Sequence, residues 1–153
     1  MSAQEFSKKM TKKGFTIAFA ESMTGGALAY ELVKYSGASN ILKASIVAYS
    51  VEQKMNLLNL ENKEKLEQHI VSQEVATMMA KAVQKKCSST ISVGVTGNAG
   101  PTLQKHTSKK EAFVSVIFYE EIKSLNIDLT DLTRIQSIKK VVKETYQMLN
   151  LLV

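Results

Sequence analysis

Hydrophobic and polar positions follow two periods along the chain, one typical of buried strands and one of amphipathic helices. Five short, nearly continuous apolar runs predict strands, and they span 15–20, 44–49, 90–95, 112–119 and 122–129. Segments with apolar residues every three or four positions predict helices, over 2–13, 24–35, 50–58, 61–68, 72–83 and 131–151. This alternation predicts a single α/β domain over 1–153, with a largely parallel sheet covered by helices on both faces.

The ends of the predicted elements add detail. Ser2 and Glu5 have the spacing of a capping box, and Gly14 is a typical helix stop. The last two strands are joined by a short charged turn, so we expect an antiparallel pair at one side of the sheet. Four apolar residues of the last helix are predicted to share one face, namely Ile135, Ile138, Val142 and Leu149.

Composition is that of a globular protein. Of the 153 residues, 44% are hydrophobic and 22% charged. No run reaches the roughly 18 apolar residues that cross a bilayer, so we expect no membrane partner. The first residues lack the apolar core of a signal peptide, and the one cysteine, Cys87, cannot form an internal disulfide. Both features lead us to expect a cytoplasmic location.

The net charge of +6 raises nucleic acid as a partner, but the distribution of basic residues argues against it. Nineteen of the twenty basic residues are lysines in separate segments, and only Arg134 is an arginine. Surfaces that bind phosphates usually carry more arginine, because guanidinium groups bind phosphate in a bidentate way. We therefore assign most lysines to solvated helix faces and expect no nucleic-acid partner.

Small and polar residues follow three of the predicted strands. The clusters are Ala20-Glu-Ser-Met-Thr-Gly-Gly26, Tyr49-Ser-Val-Glu-Gln-Lys54 and Thr96-Gly-Asn-Ala-Gly-Pro101. The carboxyl ends of parallel strands lie at one rim of a sheet, where ligands bind in α/β proteins. The three clusters are therefore predicted to meet in one site.

The first cluster allows two interpretations. A strand that turns into a helix presents backbone N–H groups at a positive helix end, where an oxyanion is stabilised. Gly25 and Gly26 would leave room for a ligand. In the plainer interpretation, which is the commoner case, Ser22 or Thr24 caps the helix and the glycines serve packing.

The second cluster places a lysine where a helix disfavours one. With Ser50 as the N-cap, Lys54 falls in the first helical turn, near the positive end of the helix dipole. Helix-end electrostatics and burial would both lower its pKa, as a general base requires. The alternative is a lysine that bends into solvent. Tyr49 is either a core residue at the rim or a donor to a ligand.

Together the three clusters resemble the signature of the competence/damage-inducible protein A C-terminal family. That signature is Ala-Glu-Ser-x-Thr-Gly-Gly, a Tyr-Ser with a lysine four residues after the serine, and Thr-Gly-x-Ala-Gly-Pro, matched here at 20–26, 49–54 and 96–101. The resemblance implies a three-layer α/β/α domain with a mixed, mostly parallel five-stranded sheet, like anticodon-binding domains. It also implies a nicotinamide-nucleotide amidase that hydrolyses nicotinamide mononucleotide to nicotinic acid mononucleotide and ammonia, in pyridine nucleotide recycling.

The resemblance also implies roles for individual residues. Ser22 would attack the carboxamide carbon, with Lys54 as base and Tyr49 positioning the base or protonating the leaving ammonia. Substrate would contact the remaining motif residues and a matching arginine at the start of the last helix, namely Thr24, Gly25, Gly26, Thr96, Gly97, Gly100 and Arg134. The family works without a metal or other cofactor and usually forms dimers, so a small nucleotide and a second copy are the expected partners.

One loop departs from the family pattern. Members usually follow Ala-Gly-Pro with a glycine pair and then Lys-Pro-x-Gly, whereas this chain has the bulkier segment 102–112, with Lys110 and Ala112 at the proline and last glycine. A bulkier loop would narrow or reshape the substrate entrance. A nucleotide-binding module of the same fold without catalysis is therefore the alternative function.

A cysteine hydrolase is a further alternative. It would use Cys87 with His69 or His106, but no motif surrounds the cysteine. His106 lies in the lysine-rich loop, where a solvated side chain or a phosphate contact is expected. Two histidines without paired carboxylates predict no metal site.

Overall fold

The computed structural model describes residues 2–153 as five strands and six helices. The strands are β1 (Ile17–Glu21), β2 (Leu42–Val47), β3 (Ile91–Gly97), β4 (Glu111–Phe118) and β5 (Glu121–Asp128). The helices are α1 (Ala3–Lys13), α2 (Ala27–Val33), α3 (Val51–Leu58), α4 (Lys63–Gln68), α5 (Gln73–Cys87) and α6 (Arg134–Leu152), with a short 3-10 turn at Ala38–Asn40. Every predicted element is present, with its ends shifted by a few residues.

The strands form one mixed sheet in the order β2-β1-β3-β4-β5. Strand β1 pairs in parallel with β2 and with β3, whereas β4 is antiparallel to both β3 and β5. Four of the five strands therefore run in one direction and β4 runs against them. The predicted mixed sheet and its antiparallel pair at one side are confirmed.

Helices cover both faces of the sheet. Side chains of β1 alternate between two hydrophobic clusters, because successive residues of a strand point to opposite faces. Ile17 and Phe19 join the cluster under α1, α2 and α6. Ala18 and Ala20 join the cluster under α5, with Leu58 of α3. The result is the expected three-layer α/β/α arrangement, and it buries every residue of β1.

Helix ends follow the sequence signals in most places. Ser2 and Glu5 form the predicted capping box, and Gly14 ends α1 with a left-handed φ of 67°. Helix α6 begins three residues later than predicted, because Thr133 and Gln136 form a capping box that fixes its start.

The predicted apolar face of α6 is correct except at its beginning. Val142 and Leu149 are buried, and Ile138 packs partly against the core. Ile135 is 67% exposed. It lies in the first turn of the helix, where no other element covers it.

No helix in the described residues is long and apolar enough to cross a membrane.

Helix α5 packs closely against the sheet at Gly94 of β3. A Cβ atom at this position would lie 2.0 Å from the carbonyl oxygen of Ala76 and 2.6 Å from the backbone nitrogen of Ala80. Both atoms belong to the α5 backbone and cannot rotate away. The glycine therefore sets the distance between α5 and the sheet.

We predict that Gly94→Ala destabilises the protein by about 3 kcal/mol, because the added methyl must displace a helix backbone from a packed core. Urea denaturation followed by circular dichroism measures the loss. Ser92→Ala is the matched control, since Ser92 is two residues away on the same strand, fully buried, and its hydroxyl has no partner. We expect that control to be neutral or stabilising. Equal stability of Gly94→Ala and the wild type would contradict the close-approach account.

Candidate active site

The candidate site lies at one rim of the sheet, where the parallel strands β1, β2 and β3 end. Ser22 directly follows β1, Tyr49 follows β2 by two residues, and Gly97 is the last residue of β3. These strands are neighbours, so their carboxyl ends are side by side. All three residues line one cleft of about 240 Å³. The structure thus brings together one residue from each predicted cluster.

Ser22 and Lys54 are in direct contact at the base of this rim. The Lys54 Nζ lies 3.0 Å from the Ser22 Oγ and 2.9 Å from the carbonyl oxygen of Ala48. Lys54 is 1% exposed and Ser22 is 7% exposed. Ser50 caps α3 by accepting the Gln53 N–H, which places Lys54 at the fourth position of the helix, within reach of Ser22.

The Lys54 ammonium has no counter-charge. In the part of the chain that the structure describes, it forms no salt bridge with a carboxylate. Burial lowers the pKa of Lys54 from its usual 10.5 to about 8, because water no longer solvates the charged form. A sizeable fraction of the amine is therefore neutral at mildly alkaline pH. In that state, Nζ can donate to Ala48 while its lone pair accepts the proton of Ser22.

The N-terminus of α2, which follows the turn after Ser22, is not open to a ligand as the first interpretation of this cluster expected. The Glu21 carboxylate accepts the N–H groups of Leu28 and Ala29, in the first turn of α2. The Thr24 hydroxyl also donates to Glu21, at 2.7 Å. The positive end of α2 is thus filled by a side chain of the protein itself, and Thr24 is directed at that carboxylate.

The remaining backbone of the turn still offers donors. The Gly25 N–H donates to the Ser22 carbonyl oxygen at 3.0 Å. Gly26 is the N-cap of α2 and has a left-handed φ of 98°. Among residues 2–153, the N–H groups of Met23, Thr24 and Gly26 donate to no backbone acceptor. Met23 also lines the cleft. Of the three groups, those of Met23 and Thr24 are nearest to Ser22 in the chain.

Arg134 and Tyr49 form one side of the cleft. Arg134 donates from Nη2 to the Tyr49 hydroxyl at 2.6 Å and from Nη1 to the Gly100 carbonyl at 2.7 Å. The Tyr49 side chain is 57% exposed, so it is a rim residue and not a core residue. Because its oxygen accepts from Arg134, its own proton is free to be donated. Gly100 contributes its carbonyl oxygen to this arrangement.

Among the residues that line the cleft but were not singled out from the sequence, Asn98 and Gln104 form hydrogen bonds through their side chains. Asn98 is buried and braces the loop after β3, donating to the Thr107 hydroxyl at 2.7 Å and accepting the Gln104 N–H. Gln104 donates from Nε2 to the Gly97 carbonyl at 2.9 Å. Its side chain therefore folds back onto the site. No sequence pattern marks either residue, because the contact depends on the path of the loop.

Thr96 was predicted to contact substrate, and it is not among the residues that line the cleft. It is buried, and its hydroxyl donates to the Ile70 carbonyl at 2.6 Å. This bond ties the end of β3 to the segment that precedes α5. Gly97, the next residue, lines the cleft.

The cysteine alternative finds no support in the geometry. Cys87 is the last residue of α5, whereas His69 precedes its first turn. A helix of 15 residues is about 22 Å long, so the two side chains lie at opposite ends. In the described chain, no group of three or more His, Cys, Asp or Glu side chains is arranged to hold a metal ion.

Comparison with known proteins identifies the family. The profile of the CinA C-terminal domain matches residues 1–153. The CinA-like protein of Flavobacterium psychrophilum is 43% identical over 94 residues, a match covering 61% of this chain and 22% of that protein. The competence or damage-inducible protein of Enterobacter asburiae has a TM-score of 0.89 at 24% identity, over 100% of this chain and 99% of that chain. The competence/damage inducible protein CihA of Agrobacterium tumefaciens has a TM-score of 0.85 at 22% identity, over 97% of this chain and 93% of that chain.

The chain therefore belongs to the CinA C-terminal domain family, as the three motifs predicted. The solved structures are less than 25% identical, and they confirm the fold. The matched region spans only 22% of the length of the Flavobacterium relative. None of these proteins' names states an activity.

We predict that Lys54→Met stabilises the protein by about 2 kcal/mol at pH 7. A pKa lowered from 10.5 to about 8 corresponds to about 3 kcal/mol of destabilisation when Lys54 is charged. The methionine variant also loses the hydrogen bonds of Nζ, which offsets about 1 kcal/mol of this gain. The unfolded chain binds the extra proton between pH 8 and 10.5, so wild-type stability rises with pH through that window. The advantage of Lys54→Met should be full below pH 8 and lost by about pH 10.5.

Urea denaturation at several pH values measures this difference. Lys8→Met is the control, because Lys8 is exposed and should show no such pH-dependent gain. A Lys54→Met variant less stable than the wild type at pH 7 would mean that the buried amine contributes net stability.

Proposed function

We propose that this member of the CinA C-terminal domain family is an amidohydrolase that converts nicotinamide mononucleotide to nicotinic acid mononucleotide and ammonia. The observation that carries the proposal is the 3.0 Å contact between the Lys54 Nζ and the Ser22 Oγ. A buried amine with a lowered pKa beside a serine hydroxyl is an activated nucleophile. The family motifs support the choice of substrate. A cytoplasmic location and assembly as a dimer or larger homo-oligomer are part of the same proposal.

The first half of the reaction forms an acyl-enzyme. Neutral Lys54 takes the proton of the Ser22 hydroxyl as Oγ bonds to the carboxamide carbon, and the carbonyl oxygen becomes an oxyanion. The N–H groups of Met23 and Thr24 are the proposed donors to that oxygen. The carbon–nitrogen bond then breaks, and Lys54 returns the proton to the leaving nitrogen, which departs as ammonia. The Tyr49 hydroxyl, free to donate into the same cleft, is the proposed relay for this proton.

The second half regenerates the enzyme. A water molecule attacks the ester carbon and gives a proton to Lys54. The bond to Ser22 Oγ then breaks, and Lys54 passes that proton to the serine. The product acid loses its remaining proton to solvent and leaves as a carboxylate. One lysine thus serves as base and acid in both halves, which suits a pKa close to the working pH.

The size of the cleft bears on how substrate is held. Its volume of about 240 Å³ is just below the roughly 300 Å³ at the lower end of ligand pockets. A nicotinamide ring fits this space, and the ribose phosphate would extend beyond it. Arg134 lines the cleft, and its guanidinium has N–H groups beyond the two that are used. It is the proposed contact for the phosphate.

The second candidate is a nucleotide-binding module that lacks turnover. The observation that favours it is the Gln104 side chain, which folds onto Gly97 and narrows the cleft beside Ser22. In that case the protein would bind nicotinamide mononucleotide and release nothing. Ammonia release separates the two candidates.

We expect purified protein to release ammonia from nicotinamide mononucleotide without added metal, at a rate that rises with pH through about 8, because only neutral Lys54 can take the serine proton.

Lys54→Arg should abolish turnover while binding remains measurable by calorimetry, since arginine keeps its proton. Ser22→Ala should do the same. A coupled assay for ammonia measures all three. Lys54→Arg with most of its activity would exclude the serine–lysine mechanism, and folded wild type that binds without release would support the second candidate.

Removal of the arginine tests how substrate is bound. We predict that Arg134→Ala raises KM for nicotinamide mononucleotide about tenfold but leaves KM for the dephosphorylated riboside within twofold. Tyr49→Phe is the matched control, because it removes the hydrogen bond between Tyr49 and Arg134 and keeps the guanidinium. Equal effects of Arg134→Ala on both substrates would make Arg134 a residue that only positions Tyr49.

A further inference from the structure

A fully buried carboxylate directly precedes the proposed nucleophile. Glu21 is the last residue of β1, and none of its surface is exposed. Its two oxygens accept four hydrogen bonds, from the Thr24 hydroxyl at 2.7 Å, the Ser45 hydroxyl at 2.7 Å, the Leu28 N–H at 2.9 Å and the Ala29 N–H at 3.2 Å. The mechanism above makes no use of this group.

The four donors come from three different elements. Thr24 belongs to the turn after Ser22, Leu28 and Ala29 open α2, and Ser45 lies in the neighbouring strand β2. No lysine, arginine or histidine in residues 2–153 forms a salt bridge with Glu21. The buried charge is therefore held only by dipoles and hydroxyls, an arrangement that is unfavourable unless every bond is made. The bond from Thr24 ties the carboxylate to the turn itself.

Helix α2 depends on this carboxylate for its first turn. Its N-cap is Gly26, which has no side chain to accept a backbone N–H. The turn before it includes two glycines with positive φ, 57° at Gly25 and 98° at Gly26. Such a turn is flexible by itself. Glu21 takes the place of the missing cap by accepting the first N–H groups of α2. It also accepts the Thr24 hydroxyl within the turn, so it holds both the turn and the start of the helix.

The alternation of the strand separates Glu21 from the reacting groups. Phe19 and Ile17, two and four residues earlier, face the α2 layer, whereas Ala18 and Ala20 face the layer that contains α3. Glu21 follows the first set and bonds to α2, while Ser22 contacts Lys54 of α3. Among residues 2–153, Glu21 forms no hydrogen bond or salt bridge with Lys54, and its bonds go to the turn, to α2 and to β2. The carboxylate is therefore connected to the reacting groups through the backbone of the turn.

We propose that Glu21 is a positioning residue for the nucleophile. It holds the turn of residues 22–26 so that the Ser22 Oγ faces Lys54 and the N–H groups of Met23 and Thr24 are left open for the oxyanion. This inference rests on the proposed serine–lysine chemistry. It does not depend on which amide is the substrate.

Glu21→Gln tests the inference. The glutamine side chain has the same shape but one acceptor oxygen, and in either orientation its NH₂ group faces one backbone N–H of α2 and one hydroxyl. The hydroxyl can turn to accept from the NH₂ group, but the backbone N–H loses its acceptor. We expect kcat for ammonia release to fall about 100-fold, as small misplacements of reacting groups do. KM should change less than about threefold. The pH midpoint of the rate should stay at the wild-type value, whereas removal of a charge that acts directly on Lys54 would move it.

Two further variants separate positioning from general loss of stability. Thr24→Val and Ser45→Ala each remove one hydroxyl donor to the same carboxylate, the first from the turn and the second from β2. Thermal denaturation should show similar losses. We expect Thr24→Val to lower kcat about tenfold and Ser45→Ala to leave it within twofold. These variants keep the carboxylate in place, so they decide the question even where Glu21→Gln does not fold.

A fluorophosphonate probe makes the test independent of the substrate. The Ser22 Oγ bonds to phosphorus as the phosphorus–fluorine bond breaks, fluoride leaves, and Lys54 takes the hydroxyl proton. Wild type that labels at Ser22 but releases no ammonia would refute the proposed substrate and leave this inference testable by labelling rates. Glu21→Gln and Thr24→Val that label as fast as the wild type would overturn it, as would a shifted pH midpoint. Wild type inert to both probe and nucleotide would overturn the nucleophile and this inference with it.

Discussion

The site depends on one buried amine without a counter-charge. Lys54 is almost completely enclosed, and its Nζ hydrogen-bonds, among residues 2–153, only to the Ser22 hydroxyl and the Ala48 carbonyl oxygen. A carboxylate in the same place would keep the lysine protonated, because an opposite charge raises its pKa. The fold instead supplies neutral acceptors and excludes water. Burial of the amine lowers the free energy of unfolding, and the packing of the rest of the domain compensates for this loss, as is common at functional sites.

Two buried charges of opposite sign lie near this rim, and the sheet keeps them apart. Glu21 and Lys54 could have formed an ion pair, which would have satisfied both and removed a base. Strand alternation directs Glu21 to the α2 side, while Lys54 enters from the α3 side. Each is then satisfied by hydroxyls and backbone groups. Because successive side chains of β1 point to opposite faces of the sheet, Glu21 and Lys54 lie on different sides of it.

The sequence predicted what local patterns determine. Apolar runs and capping residues predicted the strands, the helices and the position of Lys54, and the rule for parallel strands placed it beside Ser22. It did not predict that Glu21 fills the end of α2, because a glutamate in a continuous apolar strand has no local signature of its partner. Nor did it predict the contacts of Gln104 or the bond from Thr96 to Ile70. Those depend on the paths of loops that meet only in the folded chain.

The loop that departs from the family pattern is where substrate size would be decided. Gln104 lines both the cleft beside Ser22 and a neighbouring cavity of about 480 Å³ that includes Lys105 and His106. Tyr49 lines both spaces as well, so one flexible side chain and one aromatic ring divide them. The Gln104 side chain is held to Gly97 by a single hydrogen bond, worth about 1 kcal/mol net. Under the proposed function, the groups that cleave the amide and the groups that select the rest of the substrate lie on different parts of the chain. The rigid strand ends carry the first, and the loop after β3 carries the second.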